Sequence, residues 1–352
     1  MSKGLFLFFA VLTTFAACSQ ISPAPAYYPR LTIVNNNVTV AVVERPTPSL
    51  RQLVMFTQQS LTSWEPTSVI VAVSPASPDI DVANGFLLQL RTGIILCAYR
   101  HHSGNGTARV YRVQVSRSND DGKTWAFAGS VVVGTTGVWE PFLYQLSGDV
   151  DDKNTVHVAY AAEITNGGEQ DIVFQTSRDG GVTWGGVWSR VHTSGSRNGM
   201  PGLALLSDGS LFLVFEGFWG TAGWGHYTVN SMRSFDHGET WGQPGIVHAP
   251  ANSSLSNAGS PQVAQCRVSG DITVVFMSSE KAFSSYAWPD GAHIGTVTTH
   301  LSGDNASSPL VFPAMAGTVT TPTTIYWPSL FCDESLTQRI AYQSLSGAAE
   351  LI

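Results

Sequence analysis

Five times along the chain a short apolar run is followed by a polar or glycine-containing turn and a second apolar run that ends in an aromatic residue. The first runs are Gly85-Phe-Leu-Leu-Gln-Leu90, Pro141-Phe-Leu-Tyr-Gln-Leu146, Pro201-Gly-Leu-Ala-Leu-Leu206, Pro261-Gln-Val-Ala-Gln-Cys266 and Pro328-Ser-Leu-Phe-Cys-Asp333. The second runs close on Tyr99, Tyr160, Phe215, Phe276 and Tyr342. Two such runs around a turn predict a β-hairpin. Ahead of them, Leu31–Val43 alternates enough to predict one more strand pair, and Ile21–Arg30, rich in Pro, Ala and Tyr, reads as a lead-in. No stretch has helical periodicity long enough to compete.

Between the hairpins lies a second repeat. Ser118-Asn-Asp-Asp-Gly-Lys-Thr-Trp125, Ser177-Arg-Asp-Gly-Gly-Val-Thr-Trp184 and Ser234-Phe-Asp-His-Gly-Glu-Thr-Trp241 share the pattern Ser-x-Asp-x-Gly-x-Thr-Trp, with starts 59 and 57 residues apart. Asp can accept backbone N–H bonds in a tight turn and Gly tolerates positive φ. Thr and Trp suit the opening of a strand. A fixed period of this length means one folding unit repeated. Each unit reads strand, strand, strand, turn motif, strand. Four antiparallel strands repeated radially predict an all-β fold, a six-bladed β-propeller whose N-terminal strands share a sheet with the C-terminal end. The boundaries are a signal peptide over 1–18 and one propeller domain over 19–352.

Composition agrees. Only 12% of residues are charged, and 34 Gly and 18 Pro accompany many Ser, Thr, Val and Trp. Lys3 precedes an apolar run from Leu5 to Ala17, the pattern of a secretory leader rather than a membrane span. The expected location is therefore extracellular. Asn37, Asn105, Asn252 and Asn305 open N-x-Ser/Thr acceptor sequences. Of the cysteines past the leader, Cys97, Cys266 and Cys332, at most two can pair. A net charge of −7 argues against nucleic acid or an anionic membrane as partner and favours a neutral ligand. No cofactor or metal is implied, and a monomer is expected.

The repeat also exposes its own exceptions. Just before the first strand of successive units stand Asn84, Glu140, Met200, Ser260 and Trp327. Just after the terminal aromatic of the second strand stand Arg100, Ala161, Glu216, Met277 and Gln343. Antiparallel pairing puts both series on one rim. Glu140 and Glu216 come from adjacent units and should face each other across the central funnel, with Glu163 close behind. Two facing carboxylates suit glycoside hydrolysis: one protonates the leaving oxygen while the other attacks the anomeric carbon or activates water. Burial beside Trp139 and Phe142 would raise the acid. Arg100 would hold the nucleophile ionised or bind a hydroxyl, Tyr326 would donate to the nucleophile, and Trp219 and Trp327 would offer faces for a sugar ring. The Asp-containing turns belong to the opposite rim.

The three turn motifs resemble the Asp-boxes of the sialidase-type propeller superfamily. Its sialidases carry Phe/Tyr-Arg-Ile-Pro near the N-terminus; the nearest segment here, Tyr28-Pro-Arg-Leu31, has another order. Ala98-Tyr-Arg-His-His102, Gly137-Val-Trp-Glu-Pro-Phe-Leu143, Asn198-Gly-Met-Pro-Gly202 and Val214-Phe-Glu-Gly217 are more similar to the fungal exo-arabinanases of glycoside hydrolase family 93. That resemblance implies a six-bladed propeller releasing arabinobiose from the non-reducing end of linear α-1,5-arabinan, a plant cell-wall polysaccharide, with retention. It implies Glu140 as acid/base, Glu216 as nucleophile, Tyr326 as supporting tyrosine, and Glu163 and Asn198 as further site residues. Two other readings remain: a sialidase, which needs an arginine cluster in the funnel including Arg30 and Arg100, and a propeller that binds glycan or protein without catalysis.

Overall fold

The computed structural model describes residues 19–351, except residues 36, 75–79, 147–152, 165–167, 194, 222–223, 251–255, 267–268, 281–292, 302–309, 311–317, 320–324, 333–337, 345 and 347. The expected leader and the acceptor residues Asn252 and Asn305 lie outside that set. Asn37 and Asn105 are described and exposed.

The chain enters on β1 (Ser19–Ser22). Blade one follows as β2 (Tyr27–Val34), β3 (Val38–Glu44), β4 (Arg51–Ser60) and β5 (Ser63–Val73). Blade two is β6 (Asp81–Gln89), β7 (Ile95–His102), β8 (Tyr111–Ser118) and β9 (Ala126–Gly134). Blade three is β10 (Val138–Tyr144), β11 (Val156–Glu163), β12 (Gln170–Ser177) and β13 (Ser189–Val191). Blade four is β14 (Ser196–Leu205), β15 (Leu211–Thr221), β16 (Trp224–Ser234) and β17 (Gly245–His248). Blade five is β18 (Ala258–Gln265), β19 (Ile272–Ser278), β20 (His293–Thr299) and β21 (Thr318–Val319). Blade six is β22 (Ile325–Cys332), β23 (Gln338–Ser344) and β24 (Ala349–Leu351), completed by β1 pairing antiparallel with β24. The innermost strands β2, β6, β10, β14, β18 and β22 pack each against the next, and β22 against β2 closes the ring. With β1 as the outer strand of blade six, the two ends of the chain are held in one sheet, which closes the ring.

The apolar runs follow from this sandwiching. Side chains alternate between the two faces of a strand, and each blade is covered on both faces by its neighbours. Along β11, Val156, Val158 and Tyr160 pack with Leu96, Ala98 and Val113 of blade two. Ala159 and Ala161 of the same strand pack with Leu213 and Phe215 of blade four. The repeated glutamine stitches the opposite rim. Gln89, Gln145 and Gln265 accept the N–H of Asn35, Arg91 and Ser207 in the preceding blade, at 2.6, 3.1 and 2.6 Å. Each also donates to its own hairpin, at Gly93, Thr155 and Gly270.

The Asp-containing turns all have one geometry. In each the Asp accepts from the Ser hydroxyl, the Thr N–H and the Thr hydroxyl; for Asp179 the distances are 2.7, 2.9 and 2.6 Å. The residue before the Gly and the Gly itself are left-handed, as in Asp121 (φ 59°) and Gly122 (φ 79°). The Asp120 carboxyl is held down at about 2, chiefly by the Thr124 hydroxyl. These turns follow the third strand, away from the rim that carries Glu140 and Glu216. Asp179→Ala is expected to cost about 1 kcal/mol, the scale of a lost exposed cap, seen as a lower denaturation midpoint with catalytic constants unchanged.

One expectation is corrected. Tyr27–Arg30 is no lead-in: it opens β2. Tyr28-Pro29 occupies the place that Glu140-Pro141 occupies in blade three, but the charged Arg30 follows where the other blades carry Phe86, Phe142, Gly202, Gln262 and Ser329, which hides the repeat. Cys97 is a free, buried thiol and Cys266 is disulfide-bonded.

Candidate active site

Every blade begins with the same backbone device. Tyr28 (φ 52°), Asn84 (54°), Glu140 (45°), Met200 (50°), Ser260 (51°) and Trp327 (50°) all sit in the left-handed region. Each lies within a break of the first-to-second strand register, such as that between Trp139 and Phe142. A bulge re-aims one side chain, and left-handed backbone is costly for residues other than Gly and Asn. Six repetitions make a ring of re-aimed side chains around the funnel, followed by Pro in five blades and by Gly85 in the other.

The second strands supply a second ring. Opposite the residue preceding each bulge stand Glu44, Arg100, Ala161, Glu216, Met277 and Gln343. Backbone N–H groups of the left-handed residues bond carboxylates of the preceding blade. Met200 N–H donates to Glu140 Oε2 at 3.3 Å, and Ser260 N–H to Glu216 Oε2 at 2.7 Å. Asn84 N–H donates to Glu44 Oε1 at 2.5 Å.

Glu216 sits between two glycines. A Cβ on Gly199 would lie 3.2 Å from Glu216 Oε1, and one on Gly259 only 2.4 Å from Oε2. Burial and then the Glu140 charge push its carboxyl up to about 7, against the Ser260 N–H and Arg197. Burial also raises Glu140, opposed first by Arg100, then by the Met200 N–H, Arg197 and Arg30. The pair is thus placed to divide roles: one carboxyl holds its proton near neutral pH while its neighbour ionises.

Glu163 lies behind the pair. Its Oε1 accepts from Arg197 at 2.9 Å and from Trp139 Nε1 at 3.3 Å. Gly137 leaves the room, since a Cβ there would come within 2.6 Å of the Glu163 carboxyl carbon. Trp139 packs edge-on against His102 and Tyr111, under the Arg100 guanidinium at 5.4 Å. Arg100 is paired with Asp81 at 2.8 Å. Asn198 is wholly buried; its amide faces the Val191 carbonyl and Thr193 hydroxyl inside the wall. Trp327 borders the funnel with its ring 6.0 Å from that of Tyr28. Tyr326 pairs with Gln343 and Trp219 with Ser196 in the strands; the side chains of Tyr326 and Trp219 lie outside the described residues. Among the described residues, no three His, Cys, Asp or Glu side chains gather as a metal site.

Solved structures fit this chain over nearly its whole length. An α-L-arabinanase from Penicillium chrysogenum, complexed with arabinobiose, matches at 20% identity and a TM-score of 0.64, covering 95% of this chain and 97% of its own. The family 93 α-L-arabinofuranosidase of Fusarium graminearum, also with arabinobiose, matches at 18% and 0.63 over 95% and 96%. A Hadza microbial sialidase matches at 16% and 0.62 over 94% of this chain and 65% of that one. The fold is that of a sialidase-like six-bladed propeller. No family model matches the chain, and neither does any curated protein.

Three groups escaped sequence reasoning. Glu44 did because Val43, not an aromatic marker, precedes it at the end of the second strand of blade one. Arg197 did because its partner Glu163 belongs to another blade. Tyr227 lies on the third strand of blade four; burial and then Glu216 push its phenol up to about 12. A search for charges at every strand end, not only after aromatics, would have found Glu44.

Proposed function

We propose that the protein is a secreted glycoside hydrolase acting on α-1,5-linked arabinan from the non-reducing end with retention, releasing arabinobiose. The observation that carries this reading is the Glu140–Glu216 pair, set on adjacent blades at one rim, with both carboxyls raised by burial. In this reading Glu140 protonates the leaving oxygen and Glu216 attacks the anomeric carbon; because the Glu140 charge raises Glu216 in the free site, the proton must pass from Glu216 to Glu140 as substrate binds, and water then releases the sugar with Glu140 as base. Glu163 and Arg197 fix Trp139 as a wall. The arabinobiose in two fold relatives supports a short arabinose chain as ligand.

Arginine usage weighs against sialic acid. Arg30 is spent on the carbonyls of Pro29 and Trp327, each at 3.1 Å. Arg100 is held by Asp81 and Arg197 by Glu163. Debranched linear arabinan and a sialoside, each incubated with the purified protein, test the reading. Arabinobiose as the first product is expected; release of sialic acid, or of no sugar from arabinan, would sink it.

A further inference from the structure

One buried histidine has no part in the proposed chemistry. His102 ends β7 in blade two and is wholly buried. Its Nε2 lies 2.9 Å from the carbonyl oxygen of Val138, in the first strand of blade three. A carbonyl oxygen can only accept, so Nε2 carries the proton and His102 donates. Its Nδ1 has no partner among the described residues. Burial, then the Arg100 charge, pushes the ring down to about 4, against the Val138 bond. The ring therefore stays neutral over the ordinary pH range, with its one N–H aimed at blade three.

That carbonyl belongs to the residue two ahead of Glu140, where the strand enters its bulge. The same imidazole meets Trp139 edge-on at 4.9 Å and Tyr111 at 4.8 Å, and those two rings meet at 5.9 Å. Both residues leading into the bulge are thus gripped, Val138 by its carbonyl and Trp139 by its ring. The next blade repeats the grip. Gln170 of blade three donates to the Asn198 carbonyl at 2.8 Å, two residues ahead of Met200, and the Met200 N–H bonds Glu140 Oε2. Gln170 also accepts from Arg197 at 3.1 Å, Arg197 donates to Glu163, and Glu163 accepts the Trp139 N–H. One grip holds the bulge that carries Glu140, and the other holds the bulge that bonds it. Left-handed backbone at a residue such as Glu140 persists only where its surroundings hold it, and the bulge decides where the carboxyl points.

We propose that His102 is a positioning residue: its N–H on the Val138 carbonyl holds the Glu140 bulge at the angle that lets the carboxyl reach the leaving oxygen. This rests on the function proposed above, with Glu140 as the acid. Glu216 stands on a second strand and takes its bond from Ser260 in blade five, so the His102 grip does not reach it. Loss of the N–H therefore disables protonation and spares attack.

The test compares linear arabinan with an aryl arabinobioside, whose phenol leaves with little help from an acid. His102→Phe keeps the ring and removes the N–H. His102→Gln loses the ring but sets an amide N–H where Nε2 stood, whereas the His102→Asn amide is too short to reach. In His102→Phe and His102→Asn, kcat on arabinan should fall by about tenfold or more, with KM held within about twofold and the aryl bioside within about threefold; His102→Gln should bring arabinan turnover back to within about threefold. The Gln and Asn variants decide the matter if His102→Phe does not fold. Equal falls on both substrates, unchanged arabinan turnover in His102→Asn, or a His102→Gln protein no better than His102→Asn would overturn the positioning role and leave the proposed function standing. No arabinan turnover by the unmutated protein would overturn both.

Discussion

Glu216→Gln is expected to lower arabinan turnover by about 1,000-fold or more, and Glu140→Gln to do the same on arabinan but not on every substrate. The difference follows from the roles. An aryl arabinobioside leaves as a phenol that needs little protonation, so loss of the acid should spare its first step while loss of the nucleophile should not. Glu140→Gln should therefore retain aryl-bioside cleavage far above its arabinan rate, and Glu216→Gln should lose both. The electrostatics add a pH signature. The Glu140 charge is one of the causes that raise the Glu216 carboxyl to about 7. Removing that charge lets the Glu216 carboxyl fall, so the acidic limb of the aryl-bioside profile moves to lower pH in Glu140→Gln. The opposite pattern, with Glu216→Gln keeping the aryl substrate, would exchange the two roles; indifference of both substrates to both variants would remove the pair from catalysis.

The sequence reached far into this architecture because a propeller writes its fold several times over. Any position that differs between copies stands out against its equivalents, and that comparison alone brought Glu140, Glu216 and Arg100 to one rim. It failed where a copy hides its markers. Blade one has Tyr28-Pro29 at the bulge, but Arg30 follows it, and Val43 replaces the terminal aromatic, so Tyr28 and Glu44 were invisible as members of the two rings. It also failed where partnership crosses blades. That Arg197 would seize Glu163 depends on the single parallel pairing of Gln170 with Arg197 between blades three and four, which no local pattern encodes. Asn198, by contrast, sits in a segment suggestive of a site, yet its amide is turned into the wall. Strand position tells which rim a residue reaches; the bulge decides which way its side chain faces.

The bulge ring also explains why two glycines flank Glu216, and it makes Gly259→Ala the sharpest single test of the geometry. At the position before the left-handed residue the six blades carry Tyr27, Ala83, Trp139, Gly199, Gly259 and Tyr326. The backbone there accepts side chains as large as Trp, and Gly259 has no positive φ to defend. Only beside Glu216 is the Cβ missing from both walls. An added methyl at residue 259 would stand 2.4 Å from Oε2 and 3.4 Å from the carboxyl carbon. The carboxylate must then swing away from the Ser260 N–H, the bond that places it. Misplacement of a reacting atom by about 1 Å costs about 100-fold, so kcat should fall by about that much while the melting temperature barely moves. Because the Ser260 N–H lowers the Glu216 carboxyl, losing that bond should also shift the acidic limb of the pH profile upward, the reverse of the shift in Glu140→Gln. Gly186→Ala, exposed and with no atom within 4 Å of the new methyl, is the matched control and should change neither quantity. If Gly259→Ala kept full activity with an unmoved profile, the Ser260 N–H would not be what holds Glu216 for attack, and the glycines would owe their place to packing alone.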